Sequence, residues 1–209
     1  MSPEALNLAL FGALNMTGAG SGAVAALEAL AVVPVWLLPV VVGGTWLLGG
    51  RVDRETAVRA VVSAGLSMAL AHAASVLVDH PRPFVLDLAP NVLGHAADSS
   101  FPSDHATLFF ALAMTFASRP VSGLPGLASC LACMGLGVGF ARIALGVHFP
   151  LDVVGSVGIG GMAALVSDVV LRRPAALVFA CGERLRRLVG PLASRDGREK
   201  GGTRARPSC

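Results

Sequence analysis

Long apolar runs separated by short polar breaks dominate this chain. Residues 23–48 contain one charge, Glu28, and two prolines, Pro34 and Pro39, placed to bend a helix. Residues 57–78, 124–147 and 151–171 form further runs. At about 1.5 Å per residue, each is long enough to cross a hydrocarbon core of roughly 30 Å as a helix. The run that follows His105 ends near Ala117 and is too short to cross unless its start lies below the membrane surface. Residues 3–15 carry Leu6, Leu8, Leu10, Phe11 and Leu14 ahead of a Gly/Ser break, which predicts a short interfacial helix. Gly135 with Gly139, and Ser156 with Gly160, are small pairs at four-residue spacing, so the last two spans can pack closely, although plain lipid-facing helix accounts for them equally well. The pattern predicts an all-α integral membrane protein: a bundle of about six helices, made of five apolar runs and the interfacial helix.

Composition agrees, with 54% hydrophobic and 14% charged residues and a mean hydropathy of +0.71. A formal charge of +3 could suggest a nucleic-acid partner, but ten of the sixteen basic residues fall between Arg172 and Arg206, after the last span. They read instead as an orientation signal. Arg51, Arg54, Arg59 and Arg119 mark the same, cytoplasmic side, which puts the N-terminus, the loop at residues 79–104 and the turn at His148 outside. Residues 1–173 are therefore expected to form the membrane domain, with residues 174–190 a basic amphipathic helix on the cytoplasmic leaflet and residues 191–209 a disordered polar tail. The first 22 residues hold no Lys or Arg, so they lack the basic start of a secretory signal. Cys130 and Cys133 have CxxC spacing without a second pair, and Cys181 and Cys209 stand alone, so neither a metal site nor a redox site is expected. Lys200 is the one lysine, which excludes a lysine-based mechanism in the apolar body.

Two basic residues, Arg82 and Arg142, remain on the outer side without a topological reason. Guanidiniums match the oxygens of a phosphate in pairs, and both lie near other polar residues on that side. Ser103 follows Pro102 and precedes a helix, a position suited to an N-cap beside the free amides of the first turn. His148 precedes Pro150, and Asp152 lies four residues on, where its carboxylate could hold one imidazole nitrogen and free the other for attack on phosphorus. His105 would then protonate the leaving oxygen, although these residues also allow the roles of the two histidines to be exchanged. Taken singly, each has a plainer reading: Arg82 as an interface anchor, Ser103 and Asp104 as helix caps, Asp152 as a first-turn acid. Asp98 and Glu28 are secondary candidates for a headgroup contact, while His72, His80 and His95 read as ordinary structural histidines.

The strings Arg82-Pro83, Pro102-Ser103-Asp104-His105 and Arg142-(five residues)-His148-(three residues)-Asp152 resemble the three signature motifs of the type-2 phosphatidic acid phosphatase superfamily. Within it, residues 95–105 and 146–153 resemble the bacitracin-resistance type of undecaprenyl pyrophosphate phosphatase. The resemblance covers residues 5–171. It implies a helical membrane fold, a reaction that needs no metal or other cofactor, and a phosphohistidine intermediate. It also implies His148 as nucleophile, Asp152 as its orienting partner, His105 as acid, and Arg82, Ser103 and Arg142 as phosphate clamp. Three departures stand out: Ser75 where the wider family has lysine, Asp104 where it has glycine, and Ala141 where a serine precedes the arginine.

The function so implied is hydrolysis of undecaprenyl or another polyprenyl pyrophosphate, at the outer face of a bacterial cytoplasmic membrane, releasing phosphate and recycling the carrier lipid. The partners would be that lipid and the membrane, with no nucleic acid. Alternatives keep the chemistry with phosphatidic acid, phosphatidylglycerol phosphate or lipid A, or make the chain a metal-binding or transport protein. The last leaves Arg82 and Arg142 unexplained, because they would repel a cation.

Overall fold

The computed structural model describes residues 1–169, 180–182 and 184. Regular structure among them is entirely helical. Helix α1 (Pro3–Leu14) opens with the Ser2 hydroxyl accepting the Ala5 N–H at 3.2 Å and Pro3 at its first position. The first long apolar run divides into α2 (Ser21–Val32) and α3 (Leu37–Leu48), joined by a 3-10 turn at Val33–Trp36 whose second residue is Pro34. Pro39 is accommodated in the first turn of α3. Among the described residues the expected bundle of about six thus contains seven α-helices when the two halves of this run are counted separately.

Helix α4 (Arg51–Val78) begins earlier than its apolar run. The Asp53 carboxylate accepts the Gly50 N–H at 2.9 Å and starts the helix within the polar break between residues 48 and 57, so Arg51 and Arg54 are helical. Helices α5 (Asp104–Ser118), α6 (Leu127–Ala144) and α7 (Pro150–Val169) follow. Residues 79–103 form neither helix nor strand, as the sequence predicts. Among the described residues, four stretches, Ser21–Leu48, Arg51–Val78, Leu127–Ala144 and Pro150–Val169, are long and apolar enough to cross a membrane.

The short α5 is the axis of the bundle. It packs against α4, α6 and α7, and nine of its fifteen residues are buried. Phe109, Leu112 and Phe116 meet Leu131 and Val138 of α6 and Ala60 of α4. A helix walled by protein has no need to match the lipid thickness, which accounts for its length. The small pairs serve this axis rather than a direct α6–α7 seam. A Cβ on Gly135 would stand 2.8 Å from the Phe109 Cβ, and one on Gly160 only 2.7 Å from the Ala111 nitrogen. Gly139 alone of these glycines meets α7, against Val153. Ser156 bonds to Ser103 at the start of α5.

Helix α1 does more than lie at an interface. The Asn7 amide oxygen accepts the Leu151 N–H at 3.0 Å at the start of α7, and the Phe11 ring lies 5.2 Å from that of Phe149. Met16 N–H reaches the Ala144 carbonyl that ends α6. The N-terminal segment is thereby bolted across the α6–α7 turn, and the same end of the bundle gathers the loop at residues 79–103 and the start of α5. At the other end, Arg59 and Arg119 converge on Asp168, tying α4, α5 and α7. The basic helix and polar tail expected at residues 174–209 lie outside the described residues, apart from residues 180–182 and 184.

Candidate active site

The α6–α7 turn presents His148, 1% exposed, through a sharp change of direction. Gly146 supplies it with a left-handed φ of 74°, and a Cβ there would collide with that of Ala89. Pro150 starts α7 at once, and the Asp152 carboxylate accepts the Phe149 N–H at 2.7 Å. Each nitrogen of His148 has its own partner. Nδ1 donates to the Ser100 carbonyl at 2.7 Å, and Nε2 accepts from Arg82 Nη1 at 3.2 Å. Asp152 Oδ2 stands 3.6 Å from Nδ1, an ion-pair rather than a hydrogen-bond distance, so the carboxylate braces the turn first and the imidazole second. Burial pushes His148 down to about 4; Asp152 opposes the fall, while Arg142 and Arg82 add to it. The ring is neutral at pH 7, with Nε2 carrying the lone pair.

Arg82 and Arg142 are 5% and 2% exposed. Arg82 donates through Nε to Asp98 at 2.8 Å and through Nη1 to the Val147 carbonyl at 3.2 Å as well as to His148. Burial alone would raise the Asp98 carboxyl, but its hydrogen bond and charge pairing with Arg82 hold it below the usual range. Arg142, near the end of α6, donates through Nη2 to His95 Nε2 at 2.6 Å, and its Nε is buried without a partner. The Ser103 hydroxyl, wholly buried, likewise has no partner. Ser103 occupies the N-cap position of α5 but makes no capping bond with its side chain. Its backbone is held instead by Ser156, whose hydroxyl accepts the Ser103 N–H at 3.1 Å and lies 3.0 Å from the Ser103 carbonyl.

His105, half-buried in the first turn of α5, has Arg142, His148 and His95 as its charged neighbours. Asp104 beside it is exposed, faces Arg82, Arg142, Asp98 and His72, and sits where the helix dipole favours an acid. The structure therefore gathers His148, His105, Asp152, Arg82, Ser103 and Arg142, with Asp98 and Asp104 at the margin. Glu28 is part-buried on α2, and among the described residues no hydrogen bond or ion pair joins it to either arginine. Ser75 spends its hydroxyl on the His72 carbonyl one turn back. Two participants escape sequence reasoning: Ser100, which acts through a backbone carbonyl, and His95, which opens the string of residues 95–105 yet reads alone as structural.

Two buried guanidiniums, an orphaned hydroxyl and a neutral imidazole lone pair form a cradle for a tetrahedral oxyanion. The Arg142 Nε and the Ser103 hydroxyl are buried without partners, and leaving such donors unpaired in a dry site is costly unless an acceptor such as an anion comes to meet them. Residues 56–173, more than half of the chain, match the PAP2 superfamily. The chain belongs to that superfamily. Among its relatives, this PAP2 protein is 34% identical over 175 residues to YbjG of Escherichia coli (strain K12), covering 80% of this chain and 83% of that one. The name of that relative assigns it, provisionally, to the undecaprenyl-diphosphatases. Undecaprenyl-diphosphatase BcrC of Bacillus subtilis (strain 168) is 37% identical over 113 residues, which cover 53% of this chain and 55% of BcrC. The crystal structure of Aquifex aeolicus LpxE superimposes with a TM-score of 0.64 at 24% identity, over 78% of this chain and 94% of that one, and attests the shared fold. The PAP2 chain is thus a membrane phosphatase, and a lipid phosphate is consistent with its relatives as substrate.

Proposed function

We propose that this PAP2 phosphatase hydrolyses a polyprenyl diphosphate, undecaprenyl diphosphate in the first instance, to the monophosphate and inorganic phosphate. The observation that carries the chemistry is the His148 imidazole, whose Nδ1–H is held by Ser100 and whose Nε2 meets the Arg82 fork. The likeness to BcrC and YbjG supports the lipid.

The terminal phosphoryl group lies between Arg82 and Arg142, with the Ser103 hydroxyl donating to a third oxygen. Its entry draws Arg82 Nη1 off His148 Nε2. That nitrogen then attacks phosphorus in line with the bridging oxygen. As the N–P bond forms, the P–O bond breaks, and its electron pair leaves with the polyprenyl monophosphate oxygen, which takes a proton from His105, itself protonated once the phosphoryl anion lies beside it. Water then attacks the phosphohistidine, His105 accepts the proton, the N–P bond breaks, and phosphate leaves. The arginines hold the charge that accumulates on the phosphoryl oxygens throughout. The loop at residues 79–103 and the α6–α7 turn face the outer side of the cytoplasmic membrane, so the carrier lipid is recycled there.

Purified protein in detergent is expected to release phosphate from undecaprenyl diphosphate in the presence of EDTA. His148→Ala lowers kcat by about 10⁴-fold or more. Metal dependence, or activity surviving that substitution, sinks the mechanism. A higher kcat/KM for phosphatidic acid, phosphatidylglycerol phosphate or lipid A leaves the mechanism standing and sinks the choice of lipid.

A further inference from the structure

The loop at residues 79–103, which itself carries Arg82, holds both arginines through two residues three apart: Asp98 holds Arg82, and His95 holds Arg142. The segment that presents His95 is closely built. The Asn91 side chain accepts the His95 N–H and donates to the His95 carbonyl, both at 2.9 Å, closing a loop through Gly94, whose φ of +60° is left-handed. Leu93 packs against Leu27, Ala141, Ala144 and Val147, anchoring that loop to the end of α6 that bears Arg142. Such a construction goes beyond what a stray surface histidine needs.

We infer that His95 is a positioning residue that orients the Arg142 guanidinium for phosphate by accepting a hydrogen bond from Nη2. This rests on the reading of Arg142 as part of the phosphate clamp. A guanidinium is always a donor, so the short contact requires His95 Nε2 to carry a lone pair. Burial, with the charges of Arg142 and Arg82, lowers His95 to about 4, which keeps it an acceptor at neutral pH. Asp98 opposes that fall, and His105 also faces the ring. Arg142 Nε has no partner. With Nη2 tied to His95, the fork is fixed about one corner while Nε stays available to a phosphoryl oxygen. The interaction is made before and during reaction alike, so its loss falls on KM more than on kcat.

The test is a double-mutant cycle on full-length protein in detergent, read as phosphate release from undecaprenyl diphosphate. His95→Ala is expected to lower kcat/KM about tenfold to a hundredfold, mostly through KM. His95→Gln, whose amide oxygen can accept from Nη2 at similar reach, recovers all but about threefold of that loss. Once Arg142→Ala has removed the partner, His95→Ala adds less than about twofold. Equal losses in the Gln and Ala variants, no loss in the Ala variant, or full additivity with Arg142→Ala each overturn the inference. If Arg142→Ala costs nothing, the clamp assignment falls and His95 falls with it. If Arg142→Ala is costly while His95→Ala is silent, the inference alone has failed.

Discussion

A histidine that attacks through one nitrogen needs the other one held, and His148 has two candidates for that task at different distances. Four-residue spacing pointed to Asp152. The carboxylate is there at 3.6 Å, but the nearer acceptor is the Ser100 carbonyl at 2.7 Å. Where a carboxylate alone sets the tautomer, replacing it with its amide costs about 10⁴-fold. Here Ser100 keeps the tautomer, so Asp152→Asn is expected to lower kcat only about ten- to hundredfold; a loss near 10⁴ in steady-state kinetics would return the leading role to Asp152. The depressed His148 value gives a second expectation. At pH 5 an ordinary imidazole, at about 6.5, is almost wholly protonated, whereas one at about 4 is about nine-tenths neutral. The acid limb of kcat/KM assigned to the enzyme should therefore lie near pH 4, once the ionisation of the substrate, measured by phosphorus NMR, is divided out; a limb near 6.5 refutes it. By the same sign, the native state binds fewer protons than the unfolded one between about pH 6.5 and 4, so stability declines as pH falls across that window. Arg82, Arg142, Ser103, His105 and His148 were legible as candidates because polar and charged residues near lipid demand a chemical reason. Ser100 was not, because a backbone carbonyl leaves no mark on residue type, and His95 was not, because its partner lies 47 positions away in the chain.

At the level of helices, periodicity announced where a face is small without saying what meets it. The Gly135, Gly139, Ser156 and Gly160 positions were legible as close-packing sites, yet three of the four approach α5, the run whose shortness made it the most doubtful span. Only the folded arrangement makes α5 the axis, since its apolar residues wrap round too much of the helix to name a single neighbour. The start of α4 was hidden for a related reason: polar residues there signalled a loop, while Asp53 caps the Gly50 N–H and also accepts the Ser122 N–H at 2.9 Å from the α5–α6 connection. Packing at Gly160 offers a direct check. A Cβ there meets the Ala111 nitrogen and the Thr107 carbonyl oxygen, at 2.9 Å from the latter, and backbone has little room to yield. Gly160→Leu is expected to destabilise the detergent-solubilised protein by about 1–3 kcal/mol or more and to lower Tm. Gly158→Ala, two residues away with nothing within 4 Å, should be neutral or slightly stabilising. Equal melting temperatures for the two variants in a thermal scan would contradict the packing.

Across the whole molecule, the two ends of the bundle have different chemistry. One gathers His148, His105, Arg82 and Arg142 between the loop at residues 79–103 and the α6–α7 turn. The other carries Asp53, Arg59, Arg119 and Asp168, which tie α4, α5 and α7. Arg59 and Arg119, which the sequence offers as orientation charges, serve as struts in the fold. Asp168→Asn weakens both pairs at part-exposed sites, so a loss of about 1 kcal/mol or less is expected, with kcat/KM at 25 °C unchanged. Charge alone sets an expectation for orientation: the end with the basic residues in the cytoplasm and the candidate site outside. That expectation can be tested without any substrate. In a variant lacking Cys130, Cys133, Cys181 and Cys209, a cysteine is placed at exposed Ala97 in the loop beside the site, or at exposed Pro125 between α5 and α6. A membrane-impermeant maleimide applied to intact cells should label Ala97→Cys, and should label Pro125→Cys only after the membrane is permeabilised. The reverse pattern would put the phosphatase site on the cytoplasmic side, and the charge argument for an outward-facing carrier-lipid phosphatase would fail with it.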